Sequence, residues 1–275
     1  MKKSIFIFTA VILGVVACNR EDNPNGNLSN SFEDSNIQYF SNSRVFTNQH
    51  IQQLSNYHNL YCDSIIQSLD ITSSFVQSDV LDIANGYISV INNELDLPNP
   101  ITYNDLINTE QAVTNYVNNK DDFNTLLTEV EDLFLNLDIT SASCYDDLEI
   151  HLEILKSMAA NDFSGSDLDG AYALIETLKK SAHFWLPVSA GGSGVGYRAF
   201  EDYLDFNPDY LPGIPMGDIL GKTALADGCS MFTLCMVLGV SGAINPALVP
   251  TSLFLYFGAG VASVSVNTFF QLLVE

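Results

Sequence analysis

Apolar residues return at three- and four-residue steps through much of this chain. Ile51, Leu54, Tyr61, Ile65 and Leu69 form one such series, with Tyr57 or His58 filling its one long gap. Phe123, Leu126, Leu127, Val130, Leu133, Phe134 and Leu137 form a second. Leu148, Leu152, Leu155 and Met158 form a third, and Leu168, Ala171, Leu174, Ile175 and Leu178 a fourth. Each predicts one apolar stripe on an otherwise polar helix. Ser143 stands three residues before Asp146, and Ser166 three before Asp169, an acidic form of the capping box that predicts two helix starts. Pro98 and Pro100 separate the chain's second helix, which follows the Ile51 series, from a third that precedes the Phe123 series. Strand-like alternation is scarce. The predicted fold is all-α, a bundle of about five or six amphipathic helices over residues 45–186.

The pattern then changes twice. Residues 187–222 read as a connector rich in Gly, Pro and aromatic residues. Its Ala190-Gly191-Gly192-Ser193-Gly194-Val195-Gly196 run lacks the Lys of a P-loop and the spacing of a dinucleotide fingerprint, and predicts a flexible turn. Residues 223–275 are predicted as a hydrophobic helical hairpin. Residues 228–274 contain no Asp, Glu, Lys, Arg or His. Asn245, Pro246 and Pro250 break them into two arms. Residues 229–244 would span about 24 Å as a helix, short for a bilayer core of about 30 Å. Residues 251–274 would span about 36 Å, but Ser252, Ser263, Ser265, Asn267, Thr268 and Gln271 weaken a spanning reading. The hairpin therefore has three readings: a buried centre of the fold, a membrane-resident element, or one that is shielded first and inserts later.

Charge narrows the partners. The chain carries a formal net charge of −23. Nucleic acid is excluded as a partner, because phosphate binding needs clustered Lys and Arg. Docking on anionic headgroups is disfavoured for the same reason.

The N-terminus sets an address. Lys2 and Lys3 precede an apolar run over residues 5–16, and small Ala17 precedes Cys18. This is the layout of a secretory signal over residues 1–17. Val15-Val16-Ala17-Cys18 resembles the lipobox of bacterial lipoproteins. That resemblance implies lipidation at Cys18, with palmitate-type acylation and an outer-membrane location. Asn19-Arg20-Glu21-Asp22 resembles the surface-export signal of Bacteroidota lipoproteins, with Arg20 where Lys is commoner, which implies a surface-exposed face. Residues 18–44, rich in Asn, Ser, Asp and Glu, read as a flexible tether. The Gly/Ala-rich tail resembles bacteriocin-type small-residue hydrophobic helices, which implies insertion into a target membrane.

Candidate chemistry is sparse. His58 and Asn59 lie one helical turn before Cys62 and Asp63, so His58–Cys62 and Asn59–Asp63 pairs would share faces. These four form a weak polar site, with Asp63 as the orienting group if it were catalytic. A polar face contact without chemistry is the plainer reading. Cys62, Cys144, Cys229 and Cys235 could form two disulfides in an oxidising envelope. Cys229 and Cys235, six apart on one straight helix, would be too far apart to bond. They either straddle a helix start or are simply buried thiols. No metal or cofactor motif is present in the sequence, and the paired acids at Asp121-Asp122, Asp146-Asp147 and Asp167/Asp169 suit helix starts. The expected function is non-enzymatic: a lipid-anchored envelope protein with an interaction or structural role, its partners the membrane and an unidentified protein. The alternative is a toxin-like protein whose hairpin enters a bilayer.

Overall fold

The computed structural model describes residues 46–68, 120–135, 137–206 and 215–240. The signal segment with Cys18, the tether, the helices expected within residues 69–119 and the second arm of the hairpin lie outside them. The described residues form six α-helices and no strand, an all-α bundle as the periodicity predicts. The helices are α1 (Asn48–Ser68), α2 (Asp121–Phe134), α3 (Cys144–Asp162), α4 (Gly165–Trp185), α5 (Val195–Phe206) and α6 (Met216–Val240).

Helix α4 is the centre. It packs most extensively on α6 and also holds α1, α3 and α5. Ala171, Leu174, Ile175 and Leu178 are buried on it as the sequence pattern predicts, and so are Thr177, Ser181 and Trp185. A helix buried on several sides can keep polar side chains only where each finds a partner. Helix α2 presents Phe123, Leu126, Val130 and Phe134 to the core. Phe123 stacks on Phe163 at 4.4 Å between ring centres and meets the edge of Phe232 of α6 at 5.2 Å.

The helix starts are only partly as read. Ser143 is the N-cap residue of α3, but its hydroxyl donates to Asp147 at 2.8 Å rather than capping the backbone. For α4 the cap residue is Ser164, two positions before the predicted Ser166, which is buried inside the first turn. Asp169 is also drawn inward, where its carboxylate accepts the Phe46 N–H at 2.9 Å. That bond fixes the chain just ahead of α1. Thr47 then caps α1, its hydroxyl accepting the His50 N–H at 3.1 Å.

Two boundaries move. The stretch read as a connector contains helix α5, and the last helix begins at Met216 rather than 223. The Gly-rich run, expected as a flexible turn, is closed by hydrogen bonds. A short 3-10 turn (Val188–Ala190) leads to Gly191, whose φ of 85° suits a residue without Cβ. Gly192 N–H then donates to the Pro187 carbonyl at 3.1 Å and Gly194 N–H to that of Leu186 at 3.0 Å.

Helix α3 departs from the predicted single stripe. Leu148, Leu152 and Leu155 face the core as expected, and Ala159 continues that face. Met158 does not: it lies outside with Ile150 and Ile154. The helix is apolar on two sides.

Candidate functional site

The polar residues picked out on α1 lead into the interior. His58 and Cys62 are fully buried, and Cys62 Sγ lies 3.5 Å from His58 Nε2 one turn away. Across the interface stands Asp227 of α6, also 0% exposed, with Oδ1 at 3.2 Å from the same Nε2. Asp227 Oδ2 accepts the Ser181 hydroxyl and, at 3.2 Å, the Trp185 indole N–H, both from α4. One carboxylate thus ties three helices together.

The proton count at His58 follows from its neighbours. Asn59 Nδ2 donates to the Lys180 carbonyl at 2.8 Å. That fixes the amide so that Asn59 Oδ1 faces His58 Nδ1 at 2.9 Å, and an acceptor there requires Nδ1 to carry a proton. Nε2 faces a carboxylate and needs a proton as well. His58 is therefore an imidazolium. Burial alone would lower its pKa, but the Asp227 charge and the adjacent Cys62 outweigh it and hold the ring well above the usual histidine range. Asp227 Oδ1 accepts no well-directed hydrogen bond, so the pair on that side is held by charge rather than by hydrogen-bond geometry.

This arrangement does not resemble a working triad. In a triad one ring nitrogen faces the nucleophile and the other the orienting acid. Here Cys62 and Asp227 share Nε2, and Asn59 occupies Nδ1. Among the described residues no group of His, Cys, Asp and Glu is arranged to hold a metal ion. The cluster joins α1, α4 and α6 through buried polar contacts. A second polar bridge lies beside it: the Ser55 and Thr177 hydroxyls meet at 3.0 Å between α1 and α4.

Of the four residues predicted as a site, His58, Asn59 and Cys62 come together. Asp63 does not: its carboxylate accepts Gln67 Nε2 at 2.9 Å on the outer side of α1, and the expected Asn59–Asp63 pair is replaced by Asn59–His58. The acid that faces His58 is Asp227 instead. Cys62, Cys144, Cys229 and Cys235 are all buried as thiols, and none is paired in a disulfide. Cys229 and Cys235 sit on the one helix α6, the second of the two placements considered for them. Burial pushes the Cys144 and Cys235 thiols up in pKa, which makes them poor nucleophiles. Asp227, Ser181 and Trp185 escaped the sequence reading. The available signal was a lone acid in Ala224-Leu225-Ala226-Asp227-Gly228, the last charge before the uncharged segment.

No protein-family model, no curated protein and no solved structure matches this chain.

Proposed function

We propose that this chain is a lipid-anchored cell-envelope protein without enzymatic activity, whose acidic helical body acts as an interaction module. The observation that supports it is the setting of α6. This helix carries the first part of the uncharged segment, and Gly228, Cys229, Met231, Phe232 and Cys235 are buried against the bundle. The side chains of this part that already sit in the core are not surface that a bilayer could take up. No described helix is long and apolar enough to cross a membrane. The non-enzymatic part rests on His58, whose two ring nitrogens are both engaged in a fully buried cluster. The anchor rests on the lipobox at Cys18, whose acyl chains would contribute about 0.8 kcal/mol per buried CH2. On this reading the protein faces outward from an outer membrane.

The test is alkaline-carbonate extraction of membranes holding a full chain with Cys18→Ser, exported through a cleavable signal. The expected result is release into the supernatant. Retention in the membrane without aggregation would instead support the bilayer-inserting alternative.

A further inference from the structure

We propose that the outer face of α3 is a docking ridge for a cationic amphipathic helix of a partner protein. This rests on the interaction-module reading and names the partner's chemistry. Ile150, Ile154 and Met158 are 58, 52 and 42% exposed, in an unbroken row at four-residue steps. Such a row is the kind of ridge that seats in the groove of a second helix. The core does not need these side chains, since α3 faces the bundle through Leu148, Leu152, Leu155 and Ala159. A row of exposed large apolar groups on a chain this acidic is the informative exception.

Charge selects the occupant. At about 100° per residue, Glu153 falls along one side of the row and Asp147 along the other, while Asp146, four residues before Ile150, heads the row itself. All three are exposed. Lys179 of α4 pairs with Glu153 and, at 3.3 Å, with Glu149, which balances part of one flank. Asp146 and Asp147 form no ion pair among the described residues. The one lysine of α3, Lys156, is turned to Glu176 and the Tyr172 ring. A second copy of this chain would set carboxylates against carboxylates, and an anionic lipid surface would do the same. A helix with an apolar stripe between Lys or Arg rows matches both features of the face.

The test uses the full chain with Cys18→Ser and two synthetic peptides of equal composition and charge. One is a 14-residue Leu/Lys helix with a single apolar face (about four turns). The other is its scrambled form with no such face. The expected result is binding of the first at least tenfold tighter than the second, measured by calorimetry. Ile150→Ser/Ile154→Ser should abolish that tenfold preference, and Leu60→Ser, at an exposed apolar position of α1, should leave it intact. If the double variant does not fold, the single Ile154→Ser variant takes its place, and the peptide comparison on the unaltered chain stands alone. Equal binding of the two peptides would overturn the proposal, as would a preference untouched by loss of the isoleucines. An Ile154-dependent dimer in sedimentation would assign the ridge to a second copy and overturn it too. Release from membranes with no peptide preference would sink the ridge and leave the anchored-protein reading standing.

Discussion

Helices α3 and α4 are neighbours of similar length, and each breaks the usual rule of apolar inside and polar outside, in opposite directions. Helix α4 takes polar groups inward: Thr177, Ser181 and Glu176 are buried on it, and Asp227 and His58 are brought to it from α6 and α1. Helix α3 leaves apolar groups outside. The inward exception is closed, because nearly every buried polar atom has a named partner and the set fixes three helices in register. The outward exception is open, because nothing in the described bundle covers the ridge. A closed exception reads as architecture and an open one as contact surface. The difference is visible in energetics as well as in geometry, and substitutions can separate the two.

The largest effect should come from the inner set. Asp227→Ala leaves the His58 charge, the Ser181 hydroxyl and the Trp185 N–H buried without their acceptor. Loss of one partner of a buried pair costs about 3–5 kcal/mol, so a large fall in the denaturation midpoint is expected in urea. A midpoint within error of the unaltered chain would mean the cluster is not structural.

A smaller loss is expected where α6 touches α4. A Cβ at Gly228 would lie 2.6 Å from Leu178 Cγ. Gly228→Val should therefore cost roughly 1–3 kcal/mol through overpacking, read from the same midpoint.

The inner cluster also predicts a pH dependence with a definite sign. His58 binds its proton more tightly folded than unfolded. Its contribution is thus fully present below the unfolded value of about 6.5 and is lost as pH rises through the raised folded value. In that window stability should fall by up to about 1.4 kcal/mol per pH unit relative to His58→Gln. Parallel pH profiles for the two proteins would refute the imidazolium assignment.

The outer ridge should barely register in any of these measurements. Ile150→Ser/Ile154→Ser is expected to change stability by no more than about 0.5 kcal/mol, as for surface positions away from the core. A loss of several kcal/mol would show that the ridge is covered in the intact chain.

The periodic stripes made the all-α bundle legible, and they named the buried Phe123, Leu126, Val130 and Phe134 of α2; on α4 they found Ala171, Leu174, Ile175 and Leu178 but not the polar and aromatic residues buried on its other sides. Local spacing also brought His58 and Cys62 together, since residues four apart share a helix face. The rest of the cluster was out of reach for a physical reason. Asp227 lies far along the chain from His58, and the bundle alone brings them to 3.2 Å. Asp63 looked the better partner because it was near in sequence, yet one position past Cys62 turns it about 100° around the helix to the outer side. Met158 was misassigned because α3 carries two apolar rows, and a series read through Leu155 can continue to either Met158 or Ala159. The packing of α3 on α4 decides for Ala159.

The bond between the Phe46 N–H and the Asp169 carboxylate has a mechanical consequence. A pull on the chain ahead of Phe46 arrives first at the start of α1, the place where a helix would ordinarily fray turn by turn. Here the load passes across that bond into α4, the helix against which α1, α3, α5 and α6 all lean. Tension is shared by the centre of the bundle before any turn of α1 gives way. A molecule held by its N-terminal side is in this sense gripped through its central helix, and Asp169→Ala is expected to let it peel at a lower force.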